Sequence, residues 1–171
     1  ELICSTIPKT EEFKGFNFIT PEISAIAESA INHHKENKYG GLIEEKRLHT
    51  NLLSSQPLCI NFFGFLEQYK ELGLAVAQYL YPEITEFHGV YFEYAPTPKN
   101  LYTNDNSAFD AALLVSAGDK KGIIGIECKY TEQFSQQEYS TDRYFEIYNN
   151  SNIFIESYKV LATKEFNQLF R

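Results

Sequence analysis

Apolar and polar positions change their period along the chain. From Thr20 the period is helical: Ile23, Ile26, Ala27, Ala30 and Ile31 fall on one face. Thr20 is placed to cap this helix, and Pro21 suits its first turn. Gly40 and Gly41 predict its end. A second helical stretch opens at Ser54-Ser55-Gln56-Pro57 and runs to about Tyr81, with Gly64 and Gly73 as expected breaks and Pro82 just past its end. The period then becomes two. Phe87 to Tyr94 reads as a strand rich in Val, Tyr and Phe, ended by Pro96 and Pro98. After a polar loop from Tyr102 to Ser107, Ala108 to Ser116 reads as a second strand. Gly118-Asp119-Lys120-Lys121-Gly122 is a turn, and Ile123 to Tyr130 reads as a third strand. A helical pattern returns from about Thr141, with a break over Asn149 to Asn152. Helices, three strands, then helices predict an α/β or α+β domain whose central sheet is covered by helices on at least one face.

Length changes this picture little: 171 residues fit one domain with a single core. No repeat, low-complexity tract or long linker divides it, so residues 1–171 are expected to act as one unit. Charge excludes more. Fifteen Lys plus Arg against 23 Asp plus Glu give −8, which argues against a nucleic-acid coat protein held by bulk charge. It does not exclude an enzyme acting on nucleic acid, because a metal site needs carboxylates and a local basic patch can hold a backbone. Cys4, Cys59 and Cys128 are odd in number and lie far apart, so neither a disulfide framework nor a structural zinc site is expected. A cytoplasmic location is expected. No apolar run reaches the roughly 18 residues that span a bilayer, and no signal-peptide pattern opens the chain.

The chemistry concentrates around the Gly118–Gly122 turn. Side chains alternate along a strand, so Glu127 and Lys129 share a face. An even loop, either two residues at Asp119-Lys120 or four from Gly118 to Lys121, sets Asp110 opposite Lys129 on that face. Glu127 then lies on the diagonal, roughly 7–8 Å away between backbones and within bridging reach through a metal. An odd loop would send Asp110 to the other face. Two carboxylates and an ammonium emerging from strands of Ile, Leu, Ala and Phe must be paired or bind a metal. Oxygen donors with open positions suit Mg²⁺ or Mn²⁺. The bland alternative is that Glu127-x-Lys129 is a solvated pattern of the kind that strands use for cross-strand ion pairs.

Asn106-Ser-Ala-Phe-Asp110 followed by Gly125-Ile-Glu-Cys-Lys-Tyr-Thr-Glu132 resembles the PD-(D/E)XK nuclease superfamily. Leu53-Ser-Ser-Gln-Pro-Leu-Cys-Ile-Asn-Phe-Phe-Gly64, Phe92-Glu-Tyr-Ala-Pro96 and Asn167-Gln-Leu-Phe-Arg171 resemble segments of a bacterial, restriction-endonuclease-like group within it. The resemblance implies a central mixed β-sheet flanked by α-helices. It implies that Asp110 and Glu127, with the main-chain carbonyl of Cys128, bind Mg²⁺ or Mn²⁺, and that Lys129 is the catalytic lysine. It implies hydrolysis of DNA phosphodiester bonds in restriction, defence or repair. A homodimer is one expected assembly. Two departures stand out. Phe109 replaces the nominal proline before Asp110. A further strand and helix would be expected past Arg171, so the chain reads as truncated at its C-terminus.

Supporting roles have weaker claims. Glu93 is either an acid behind the metal ligands or a strand-end surface group. Glu28 on the first helix either reaches the metal or faces solvent. Ser54, Ser55 and Gln56 either contact phosphate at a helix N-terminus or simply cap it. Gln168 and Arg171 share a helical face, where Arg171 either holds a phosphate or is solvated. His33 and His34 are adjacent and diverge on a helix, and His49 and His88 lack a spaced partner. A rival to the enzyme is a non-catalytic module that keeps the fold and docks nucleic acid or protein on the same face.

Overall fold

The structure, a computed structural model, describes residues 5–37, 41–131 and 142–150. Their elements are α1 (Pro21–Asn37), α2 (Glu45–Thr50), α3 (Ser55–Gln68), α4 (Lys70–Leu80), β1 (Glu86–Tyr94), β2 (Phe109–Ala117), β3 (Lys120–Ile126) and α5 (Asp142–Asn150). Short 3-10 turns stand at Glu11–Phe13 and Lys99–Leu101. The chain groups into two compact units, one of residues 1–95 and 108–131, the other of 96–107 and 132–171.

In the first unit, β1, β2 and β3 form an antiparallel sheet in sequence order. Among the described residues the sheet is therefore antiparallel throughout, not mixed as expected. Its apolar side is supplied by Val90 and Phe92 of β1 with Ala111, Leu113 and Val115 of β2. Against these pack Cys59, Ile60, Phe63 and Leu66 of α3, and beyond them Ile23, Ala27 and Ile31 of α1. The period-3.6 face read in α1 is thus the face that is buried. Asn17 ties the entry segment down: its Nδ2 donates to the carbonyls of Leu48 at 2.7 Å and Asn51 at 3.1 Å.

The helical stretch from Ser54 to Tyr81 breaks at Tyr69, not at Gly64 or Gly73. Both glycines lie inside helices because packing demands them there. A Cβ on Gly64 would stand 2.8 Å from Ile23 Cδ1, and one on Gly73 would stand 2.3 Å from the Phe87 ring. α2 has no counterpart among the expected elements. β1 carries a bulge between Phe87 and Gly89. There the Glu67 carboxylate accepts from the Val90 N–H at 2.7 Å, and Lys70 donates to the His88 carbonyl at 3.1 Å.

The hairpin register also departs from expectation. The turn is Gly118-Asp119, with Ala117 paired to Lys120 and Ala111 to Ile126. Gly118 takes φ +58°, which suits glycine and tightens the turn to two residues. The register is shifted by two residues, so Asp110 is carried next to Glu127 instead of Lys129. The loop is still even, so the parity needed for convergence survives. β3 ends at Ile126, and Glu127, Cys128 and Lys129 lie just past it.

The second unit holds a loop fastened to α5. Asp105 accepts from the Ser107 N–H at 2.8 Å, from the Thr103 hydroxyl at 3.0 Å, and from the Tyr144 hydroxyl. Arg143 donates to the carbonyls of Tyr102 at 2.8 Å and Asn100 at 3.1 Å.

Candidate active site

β2 delivers Asp110 from its second position, rooted in a strand whose Ala111, Ala112 and Leu113 are fully buried. The segment after β3 delivers Glu127 and Lys129. The two arms are stitched together by the Cys128 N–H, which donates to Asp110 Oδ2 at 2.6 Å. Lys129 Nζ donates to Glu127 Oε1, so the ammonium is held against the carboxylate. Further along, the Thr131 hydroxyl donates to the Leu53 carbonyl at 3.0 Å, tying this arm to the entry of α3.

A third carboxylate belongs to the cluster. Glu93 lies near the end of β1 at φ +50°, a conformation that costs a non-glycine residue energy. Gln56 Nε2 donates to Glu93 Oε1 at 2.6 Å and to the Leu42 carbonyl at 2.7 Å. Gly41 lets the Glu93 backbone approach: a Cβ there would stand 2.3 Å from the Glu93 carbonyl oxygen. Burial pushes the Glu93 carboxyl up to about 7; the Gln56 hydrogen bond opposes this, and the like charges of Asp110 and Glu127 add to it. Arg47 acts weakly in the opposite sense. The like charges of Asp110 and Glu127 thus both act on the half-buried Glu93 carboxyl. A small cavity of about 10 Å³ is lined by Gln56, Cys59, Phe92, Glu93 and Asp110, among others.

The donor set fits a hard divalent cation. Mg²⁺ keeps several waters and takes one or two carboxylates, so it does not need an all-protein cage. Among the described residues, no group of three or more His, Cys, Asp and Glu is arranged to hold a metal ion. Two carboxylates supplemented by a main-chain carbonyl would be the appropriate set.

A family model described as the PD-(D/E)XK nuclease superfamily matches residues 1–171. The chain belongs to the PD-(D/E)XK nuclease superfamily. No curated protein and no solved structure matches it.

Within this PD-(D/E)XK chain the other candidates fall out unevenly. Ser54 is 1% exposed and caps α3, its Oγ accepting from the Gln56 N–H at 3.3 Å and from Arg47 Nε at 2.7 Å. Ser55 is buried beside it. Gln56 is turned toward Glu93. Glu28 meets His49, with Oε1 3.5 Å from Nε2. Gln168 and Arg171 lie outside the described residues. Two residues that the sequence did not single out stand next to the site. Arg47 sits in α2, an element without a readable period. Cys59 lies in α3; the Cys128 thiol and burial push the Cys59 thiol up, while the Cys59 thiol lowers Cys128. Neither had a local signal, because both reach the site through tertiary packing. No helix among the described residues is long and apolar enough to cross a membrane.

Proposed function

We propose that the chain is a divalent-metal-dependent nuclease that hydrolyses DNA phosphodiester bonds. The observation that carries this reading is the stitch between Asp110 and the Glu127-Cys128-Lys129 segment, which brings the superfamily's acidic pair and its lysine to one place. Asp110, Glu127 and the Cys128 carbonyl would hold Mg²⁺ or Mn²⁺. When bound, such an ion acidifies water and neutralises phosphate charge. The residues of the chain do the rest. Lys129, anchored on Glu127, offers an ammonium to the negative charge that develops at phosphorus. Glu93, oriented by Gln56, adds a half-buried carboxyl to the cavity that Asp110 lines. The exposed position of Glu127 leaves room for a substrate as large as a duplex.

The test is plasmid nicking by the full chain with Mg²⁺ or Mn²⁺, set against the same reaction with chelator and against Asp110→Asn. Metal-dependent nicking that Asp110→Asn abolishes supports the reading. Tight DNA binding with no cleavage under any divalent ion would turn it toward a docking module.

A further inference from the structure

Leu52, Leu53 and Tyr130 are large apolar residues that stand 45%, 42% and 53% exposed. They come from distant parts of the sequence, and one hydrogen bond joins those parts. The Thr131 hydroxyl donates to the Leu53 carbonyl at 3.0 Å. The turn between α2 and α3 therefore lies against the segment that carries Glu127, Lys129 and Tyr130. That turn is firmly built. The Leu52 N–H donates to the Ser5 carbonyl at 2.9 Å, and the Leu53 N–H to Asn51 Oδ1 at 2.9 Å. The Asn51 carbonyl accepts from Asn17 Nδ2 at 3.1 Å, and Ser54 just beyond is 1% exposed. With its peptide groups committed in this way, the turn holds both leucines at the surface beside the site. The core does not use them, and neither does the metal chemistry. We propose that Leu52, Leu53 and Tyr130 form a contact surface for an unpaired base, so that the substrate is DNA opened or single-stranded at the cut.

The inference rests on the nuclease reading for the phosphodiester and adds the class of its substrate. An apolar rim beside a site for phosphate narrows what can cover it. A nucleic acid is charged along its backbone, and its broad apolar surfaces are the faces of its bases. In a duplex each face is covered by the next base pair, and the grooves present mostly hydrogen-bonding edges. Only a base taken out of the stack has a face to offer. Tyr130 supplies the ring for it: aromatic stacking accepts every base, since each has a π-face. The two leucines supply the kind of side chain that wedges between base steps and keeps them apart. Tyr130 follows Lys129 directly, so a nucleotide engaged at the ammonium has its base at this rim. The three side chains carry no charge, which matters in a chain of net charge −8. They neither repel a polyanion nor compete with Lys129 for its phosphates.

The experiment uses the full chain and three DNAs that share one strand: a paired duplex, a duplex with a mismatched bubble at its centre, and the strand alone. Affinity is read by fluorescence anisotropy with Ca²⁺, and cutting with Mn²⁺. The bubble and the single strand should be bound and cut at least about 10-fold better than the duplex, the scale of one base stacked on an aromatic ring. Tyr130→Ser should erase most of that preference, Leu53→Ser a smaller part, and Tyr130→Phe none of it. The salt dependence of binding should keep its slope in Tyr130→Ser, because stacking releases no counterions. Equal binding and cutting of paired and unpaired DNA overturns the proposal while the nuclease reading stands. A preference that survives Tyr130→Ser, or that Tyr130→Phe abolishes, overturns it as well, as does a flattened salt slope in Tyr130→Ser. So does a wild-type dimer that Tyr130→Ser splits with DNA binding unchanged, which would give the surface to a second copy. Preferred binding of unpaired DNA without cutting supports the surface and fails the catalytic reading alone. No binding of any of the three fails both.

Discussion

β2 and β3 are the two strands of one hairpin, and they live in different surroundings. β2 is paired on both edges, and its Ala111, Ala112 and Leu113 are 0% exposed. β3 is paired to β2 alone among the described residues and is exposed over most of its length, with Ile123 at 39%. The site draws on both: Asp110 from the buried strand, Glu127 and Lys129 from beyond the exposed one. The difference separates two tasks. The buried strand fixes a ligand with the precision of the core. The exposed arm leaves its charged groups open to a large substrate, and its ties to the rest of the unit include the Cys128 N–H to Asp110 and the Thr131 hydroxyl to the Leu53 carbonyl. Stability should therefore reside mainly in β2 and chemistry mainly past β3.

The largest effect expected of this division is at Leu113. It packs among Val90, Phe92 and the α3 side chains without solvent contact. Leu113→Ala should lower unfolding stability by about 2–5 kcal/mol, the range for a buried leucine whose cavity cannot collapse. Urea titration of the metal-free protein measures it. A loss below 1 kcal/mol would mean that β2 is not the centre of the core.

Lys129→Met tests the other arm. The substitution keeps the aliphatic stem and removes the charge that Glu127 holds. Under the nuclease reading the ammonium acts on the transition state, so its loss should cost on the order of 10²–10³ in cleavage rate. The urea midpoint should barely move, and DNA affinity should stay within a few-fold. A variant that binds DNA much more weakly, with a flattened salt dependence, would make Lys129 a phosphate contact instead.

The same contrast explains what the sequence disclosed. Local period was enough for α1 and for the three strands in order, because each buries one face against a neighbour. That the hairpin register carries Asp110 to the position beside Glu127 was legible through parity alone: the register was read two residues off, yet an even shift leaves every side chain on its face. The error arose at the turn, which was expected at Asp119-Lys120 or over Gly118 to Lys121 and instead falls at Gly118-Asp119, with Gly118 at positive φ. Gly64 and Gly73 misled for a related reason. Their role is to admit Ile23 and Phe87, partners far away in sequence, so they read as breakers when they are contacts. α2 has six residues and no amphipathic period to detect. Gln56 was noticed for its place at a helix N-terminus, and its bond to Glu93 across 37 positions had no local trace.

A smaller effect lies at the junction of the two regions. Glu93 has its carboxyl pushed up to about 7 by burial, against an ordinary 4.5. The folded state then holds a proton between these values that the unfolded chain has lost. Its contribution is fully present below about 4.5, and it disappears as pH rises through about 7. Metal-free wild type should therefore lose stability relative to Glu93→Gln on going from pH 5 to pH 8, by on the order of 2 kcal/mol. Urea titrations of both proteins across that range provide the comparison. Parallel curves would place Glu93 in contact with solvent and remove it from the buried cluster.

The smallest effect is predicted for Ile123. Its backbone pairs with Leu114 in the same ladder that holds Leu113, so the two positions share strand neighbours and hydrogen bonds. What separates them is solvent: Ile123 keeps 39% of its surface exposed, whereas Leu113 keeps none. Ile123→Thr preserves the β-branch, and with it the backbone preference of the strand. Little burial is lost, and the ladder is untouched. The change in unfolding stability should stay within about 0.5 kcal/mol, as for ordinary surface positions. Nicking should be unaltered, because Ile123 lies four residues before Glu127 and does not hold the Cys128–Asp110 stitch. Urea titration and the nicking assay on one preparation test both halves. A loss as large as that of Leu113→Ala would show that β3 is covered on its exposed side in the working protein, and that the contrast between the two strands belongs to the isolated chain.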